Sequence, residues 1–311
     1  MRYKVLVTAP YMQMVIDEYR HLLEEKDIEL VIPRFQERFE EEELLDMVSD
    51  IDGVICGDDR FTAKVLDNAP KLKVLSKWGT GIDSIDQEAC VARGVAVRNT
   101  PGAFNEPVSE SVLGYMLCFA RRLPWLDRSM RKGRWEKAPA VSLGESVLGV
   151  IGVGEVGKNV VRRAKAFGMN ILGNDLVEMP ADFLAASGIE MTSKEDLLAR
   201  SDFVSMNCDL NPTSRHLISN DEFELMKPSS VIINAARGPI VDEAALINAL
   251  EDREIAGAAL DVYEVEPLPP ESPLLKMDNV MLAPHNSNSS TRAWKRVHEN
   301  TINNLFDVLE V

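Results

Sequence analysis

Short runs of β-branched and aliphatic residues alternate with amphipathic stretches along nearly the whole chain. The first series reads "YKVLVTA" (3–9), "IELVIP" (28–33), "GVICG" (53–57), "KVLSKWG" (73–79) and "VAVRN" (95–99). The second begins at "VLGVIG" (147–152) and continues through "NILGND" (170–175), "DFVSMN" (202–207), "VIINAA" (231–236), "GAALDVY" (257–263) and "NVMLA" (279–283). Runs this apolar, separated by helical periodicity, suit strands covered on both faces by helices, and they do not suit the half-polar alternation of a sandwich. The pattern predicts an α/β chain with two doubly wound parallel-sheet units.

Between the two series, "NEPVSESVLGYMLCFARR" (105–122) carries Pro107 where a first helical turn tolerates it and apolar residues at helical spacing, so it predicts a connecting helix that opens the second unit. The following segment, 123–139, is basic and rich in tryptophan and is expected to be an irregular arm or surface excursion. The acidic run "FEEEELLDM" (39–47) reads as one solvated helix face. At the C-terminus, 290–311 is amphipathic, with Trp294, Val297 and Leu305 on its apolar side.

Composition narrows the functional classes. The chain has 311 residues, 45% hydrophobic and 27% charged, enough to bury substantial cores, and no window approaches a membrane-spanning run. A net charge of −16 repels nucleic acid and anionic lipid at long range, so neither is an expected partner. An anionic small-molecule substrate then needs local positive charge. Cys56, Cys90, Cys118 and Cys208 show no CxxC spacing and sit mostly in apolar runs, which suits reduced thiols rather than a disulfide frame or a metal site. With no signal-peptide pattern at the N-terminus, a cytoplasmic setting is expected.

The strongest chemical signal is "VLGVIGVGEVGKNVVRRAKAFGMNILGNDL". A strand ends in Gly152-x-Gly154-x-x-Gly157, a helix follows to Gly168, and a second strand ends at Asp175, eighteen residues after Gly157. The first glycine permits a tight turn, the second lets a pyrophosphate approach the backbone, and the third lets the helix pack on the strand with its N-terminus aimed at the phosphates. Asp175 stands where a carboxylate meets the adenosine ribose, and residues 176–178 are Leu, Val and Glu, with no cation for a 2′-phosphate. The cofactor expected is therefore NAD rather than NADP.

Ligands of open parallel sheets bind beyond the carboxyl ends of the strands. Three late strands end suggestively: "VIINAA" runs into Arg237-Gly238, "GAALDVYEVEP" passes Asp261 to reach Glu266, and "NVMLAP" delivers His285. A cation, a carboxylate and an imidazole converging there suit reduction of a 2-keto acid. Arg237 would fork onto carboxylate and carbonyl oxygens, His285 would exchange the proton, and Glu266 would orient the imidazole. The other histidines, His21, His216 and His298, lack such a setting and read as structural.

At these residues the sequence resembles the NAD-dependent D-2-hydroxy acid dehydrogenases, particularly their phosphoglycerate dehydrogenase-like members. The resemblance covers nearly the whole chain and rests on "LKVLSKWGTGIDSID" (72–86), "NTPGAFNEPVSES" (99–111), the glycine fingerprint, "NPTSRHLIS" (211–219), "MKPSSVIINAARGPIVDEAAL" (226–246), "ALDVYEVEPLP" (259–269) and "NVMLAPH". It implies a Rossmann NAD-binding domain, residues 99–287, inserted in a flavodoxin-like substrate domain made of 1–98 and 288–311. It also implies Arg237, Glu266 and His285 as catalytic residues. The implied cofactor contacts are Gly152, Gly154, Glu155, Val156, Gly157, Asp175, Cys208, Pro212, Ala235, Asp261 and Ser287, with Asp261 at the nicotinamide carboxamide. A substrate-carboxylate loop falls on Lys77-Trp78-Gly79-Thr80-Gly81, and a homodimer is implied, formed through the cofactor domain and its arm.

The family pattern is broken at Asn286-Ser287-Asn288-Ser289, where an apolar residue and glycines are usual, and at Asp209, where Pro-Leu is usual. Phosphoglycerate-using members often place an arginine near the third strand, whereas this chain has "ICGDDRFT", leaving Arg60, Lys77 or the basic arm (Arg128, Arg131, Lys132, Arg134) to meet a phosphate. The substrate therefore stays open between a phosphorylated acid and an unphosphorylated one of the hydroxypyruvate or glyoxylate type. No room for a regulatory serine-binding domain is expected after residue 311. A reading of another class, an NAD-sensing corepressor-like binding protein, would leave the Arg, Glu and His set without a task.

Overall fold

The computed structural model describes residues 3–311 and divides into two compact units. One comprises the chain up to Phe104 together with Ser290–Val311, and the other is Asn105–Ser289. The sequence set these crossings at 98/99 and 287/288, slightly earlier at both.

In the first unit, β1 (Tyr3–Val7), β2 (Ile28–Val31), β3 (Gly53–Cys56), β4 (Val74–Lys77) and β5 (Ala96–Arg98) form a five-stranded sheet in the order β2-β1-β3-β4-β5. All pairings are parallel. Strands β3 and β4 are buried at every position, as strands covered by helices on both faces must be. One cluster, with Leu6, Leu44, Val54, Phe61, Val65 and Leu75, packs helices onto the sheet. The last helix, Thr291–Leu309, is capped at Ser290, whose hydroxyl accepts the Ala293 N–H, and it lies against β3 and β4. Buried Ser76 Oγ donates to Thr301 O at 2.7 Å, and a Cβ on Gly53 would come within 2.8 Å of Leu305 Cδ1, so the helix sits directly on the strands.

The second unit contains β6 (Val147–Ile151), β7 (Asn170–Asn174), β8 (Glu190–Met191), β9 (Phe203–Met206), β10 (Val231–Asn234), β11 (Gly257–Leu260) and β12 (Val280–Leu282). Their order is β12-β11-β10-β9-β6-β7-β8, again all parallel. Alternate residues serve different cores: Ile232 and Ala258 join one cluster, Val231, Ile233 and Ala259 another. The helix Asn105–Arg121 buries Val112, Leu113, Met116 and Ala120 in the second of these. The strand order reverses between β6 and β9, which makes that edge the crevice of a Rossmann fold.

Three differences from the sequence reading have physical causes. Several strands stop earlier than their apolar runs, as at Leu260 rather than 263, because the next residues turn out of the ladder while remaining buried. The two-residue β8 was not anticipated, since two residues carry no periodicity. The segment read as irregular holds a helix, Leu123–Arg131, with Pro124 in its first turn, basic residues in its last turn and an Asp127–Arg131 ion pair at 2.8 Å. Among the described residues no helix is long and apolar enough to cross a membrane.

Docking of the terminal helix should depend on Leu305, which is fully buried. Leu305→Ala is expected to cost about 2–5 kcal/mol, read as a lower urea midpoint at unchanged slope. An unaltered midpoint would show that the helix is not a structural part of this sheet.

Candidate active site

Physical constraint, more than composition, explains the glycines after β6. Gly152 adopts φ +87°, and a Cβ there would lie 2.5 Å from the Cys208 amide nitrogen beyond β9. The turn therefore closes directly over the reversal point of the sheet. A Cβ on Gly157 would approach Gly152 O to 2.1 Å, so the helix Glu155–Ala166 packs its first turn against the loop. At Gly154, by contrast, an added Cβ would meet nothing within 4 Å. The loop is thus closed where helix and strand must touch and open where backbone can meet a pyrophosphate, a fit to a dinucleotide made by the chain itself. Glu155 is exposed and Val156 half-buried in the first helical turn.

Asp175 follows β7. Its Oδ2 accepts the Val153 N–H at 2.6 Å and its Oδ1 the Val177 N–H at 2.8 Å, so the carboxylate braces the glycine loop. Across the reversal point, burial pushes the Cys208 thiol up to about 11, leaving it neutral and unreactive. Pro212 and Asp209 are exposed, and the Asp209 carbonyl accepts the Ser214 hydroxyl at 2.6 Å.

The ends of β10, β11 and β12 bring the expected chemical groups onto neighbouring strands. After β10, the Asn234 side chain accepts the Ala236 N–H at 3.1 Å and donates to Arg237 O at 2.9 Å, bracing the turn that contains Ala235. Arg237 Nη1 donates to Ala236 O at 2.9 Å. Gly238 is mandatory, since a Cβ would fall 1.9 Å from the Tyr263 carbonyl carbon, so the Arg237 turn rests on the loop that leads to Glu266.

Glu266 Oε2 lies 2.9 Å from His285 Nδ1, while Glu266 Oε1 accepts the Tyr263 N–H at 2.9 Å. The Tyr263 hydroxyl donates to Ala283 O at 2.9 Å, tying the same loop to the end of β12. His285 takes φ +49°, a left-handed conformation open to few residues other than glycine. Its N–H donates to Asp261 O at 2.7 Å, and the Asp261 side chain accepts the N–H groups of Asn286 at 2.8 Å and Ser287 at 2.9 Å. Asp261, 1% exposed, thereby holds the turn that presents the histidine. Ser287 is buried, with its hydroxyl close to that of Tyr115.

In the first unit, Lys77 ends β4 and the loop Trp78–Gly81 follows. Gly79 has φ +129°, and its carbonyl accepts both the N–H and the hydroxyl of Thr100 at 2.9 Å. Thr80 Oγ1 donates to Thr100 O at 3.3 Å, while Thr80 O accepts the Asn99 side-chain amide at 2.6 Å. Trp78 is buried, and its indole N–H donates to His298 Nδ1 at 2.9 Å. Burial holds His298 below its ordinary pKa, which keeps the accepting nitrogen unprotonated. Sequence reasoning treated His298 as structural only. The available signal was its position one helical turn after Trp294, whose ring stands 5.7 Å from that of Trp78. His216 pairs with Glu264 at 2.7 Å, with Asp242 Oδ2 3.8 Å from its other ring nitrogen.

Comparison with known proteins agrees with this geometry. Residues 113–287 match the D-isomer specific 2-hydroxyacid dehydrogenase, NAD binding domain. A D-3-phosphoglycerate dehydrogenase of Methanocaldococcus jannaschii is 38% identical over 94% of this chain and 55% of its own length. A glyoxylate reductase of Korarchaeum cryptofilum is 38% identical over 85% of this chain and 81% of its own length. The chain thus spans about half the length of the phosphoglycerate dehydrogenases it matches. Among solved structures, D-lactate dehydrogenase from Aquifex aeolicus complexed with NAD and lactic acid superposes with a TM-score of 0.89 at 26% identity, covering 99% of this chain and 95% of that one. The chain belongs to the D-isomer specific 2-hydroxyacid dehydrogenase family.

Asp175→Ala should raise the Kd for NADH at least ~10-fold more than that for NADPH, because the ribose acceptor is lost along with the repulsion of a 2′-phosphate. Equal weakening of both cofactors in titration calorimetry would mean that Asp175 serves only to brace the loop.

Proposed function

We propose that the chain is an NAD-dependent D-2-hydroxy acid dehydrogenase, interconverting a 2-keto acid and its D-2-hydroxy acid. The observation that carries this reading is the Glu266–His285 pair, held at 2.9 Å on the strand-end edge of a Rossmann unit. The glycine loop, with Asp175 at the adenosine ribose, would hold NAD, whose nicotinamide would serve as hydride donor or acceptor. Asp261, Ser287 and Ala235 would border its nicotinamide end.

The chain's own residues manage charge and protons. Arg237 grips the substrate's carboxylate and carbonyl oxygens, which orients the keto carbon and polarises its bond. As the keto oxygen gains negative charge, His285 gives it the proton carried on Nε2, the nitrogen that its Nδ1 pairing with Glu266 assigns to this task. In oxidation the same nitrogen takes the proton back. Glu266 is a positioning residue that fixes the ring through Nδ1. A binding protein that only sensed NAD would have no use for this pair.

The resemblance and the exposed basic arm, whose Trp135 is 81% exposed, support a homodimer formed through the cofactor unit. Four free thiols support a reducing, cytoplasmic setting.

His285→Ala should lower kcat by ~10²-fold or more while the Kd for NADH changes by no more than a few-fold, as expected for loss of general acid catalysis. A variant that keeps turnover within a few-fold of the parent would remove His285 from the chemistry.

A further inference from the structure

Two glutamates stand two residues apart in the loop that follows β11, and each meets an imidazole. Glu266 Oε2 meets His285, and Glu264 Oε1 lies 2.7 Å from His216 Nε2. His216 comes from the segment between β9 and the helix Asn220–Leu225, and its backbone is left-handed, φ +50°, like that of His285 at φ +49°. Such a conformation is costly for a non-glycine residue and persists where its neighbours fix it. Here the His216 N–H donates to Pro239 O at 2.8 Å, and Asp242 Oδ2 lies 3.8 Å from the second ring nitrogen. The backbone therefore aims this ring at Glu264.

Glu264 is held at three points. Its N–H donates to Glu243 Oε2 at 3.1 Å and its Oε1 accepts the Glu243 N–H at 3.3 Å, which ties the loop to the first turn of the helix Glu243–Glu251. His216 supplies the third and shortest contact. The constraint then passes along the chain. A Cβ on Gly238 would fall 1.9 Å from the Tyr263 carbonyl carbon and 2.5 Å from the Glu264 nitrogen, so the Tyr263–Glu264 peptide rests on the Arg237 turn. Tyr263 in turn donates its N–H to Glu266 Oε1 at 2.9 Å, the glutamate that holds the His285 ring.

We propose that His216 is a positioning residue: its pairing with Glu264 fixes the Tyr263–Glu264 peptide against the Arg237 turn and so sets the angle at which Glu266 meets His285. The inference rests on the dehydrogenase reading and adds a residue that acts through Glu264 rather than on the substrate. An outer and an inner Glu–His pair share one short stretch of chain, and moving the first displaces the second. A half-exposed pair of this kind contributes little to stability. Its effect is geometric, and a small displacement of an acid–base group costs rate.

The test uses the whole chain with His216→Ala, His216→Gln and Glu264→Gln, and whichever of glyoxylate, hydroxypyruvate and pyruvate the parent reduces. His216→Ala and Glu264→Gln should each lower kcat by ~5- to 10-fold while KM for NADH stays within ~2-fold of the parent. His216→Gln, whose amide can still donate to Glu264, should recover most of the rate. In a Glu266→Gln background, His216→Ala should cost no more than ~2-fold further, because the group it positions is already gone. Independently of turnover, the ring-nitrogen NMR signal of His285, assigned by its absence in His285→Ala, should shift in His216→Ala and in Glu264→Gln and return in His216→Gln. An unmoved His285 signal, an unchanged kcat in His216→Ala, or a loss that persists whole in the Glu266→Gln background would overturn the proposal. A parent that reduces none of the three acids while the signal still shifts would reject the dehydrogenase reading alone and leave His216 as the residue that sets the Glu266–His285 pair.

Discussion

A buried carboxylate holds the turn on which the proposed chemistry depends. Asp261 takes the N–H groups of Asn286 and Ser287 with its two oxygens, and its carbonyl takes that of His285. Together these bonds hold His285 in a left-handed conformation that costs a non-glycine residue of order 1–3 kcal/mol when nothing supports it. Glu266 then fixes the ring, and Tyr263 fixes Glu266 through its N–H and β12 through its hydroxyl. The bonds of Asp261, Tyr263 and Glu266 to residues 283–287 join the end of β11 to that of β12, so the acid–base group is positioned by the sheet rather than by a loop alone.

The same edge shows how glycine is used when backbone must touch backbone. Gly152 and Gly157 close the cofactor turn on Cys208 and on itself, and Gly238 seats the Arg237 turn on Tyr263. Gly154 differs from these three, since the space beside it is open. Close contacts make the crevice rigid, and the one open position leaves room for phosphate oxygens. This division of roles within a short motif suits a pyrophosphate without any charged phosphate ligand in the glycine turn itself.

Much of this was legible in the sequence because it is local. Apolar runs bounded by helical patterns marked eleven of the twelve strands, and the strand-to-glycine-to-helix order marked the cofactor turn. Arg237, Glu266 and His285 stood out because strand ends announce themselves by the abrupt end of an apolar run. What escaped was long-range. The bond from Trp78 to His298 joins residues 220 apart, and no periodicity encodes it. Asp58 and Lys77 were both visible as charges near a substrate, yet their pairing depends on the parallel register of β3 and β4, in which Cys56 faces Lys77. The helix Leu123–Arg131 was masked by its basic composition, although Pro124 was available as a start signal. Strand ends were set too late where residues such as Val262 and Tyr263 are buried by loop packing instead of ladder bonds.

The most direct measurement uses NADH deuterated at the transferable position of the nicotinamide, with glyoxylate, hydroxypyruvate and pyruvate as acceptors. The account predicts loss of nicotinamide absorbance and a D-2-hydroxy acid carrying the deuterium at its second carbon, with no label lost to water. NADH that binds but is oxidised by none of these acids, or a product whose label has washed out, would contradict it.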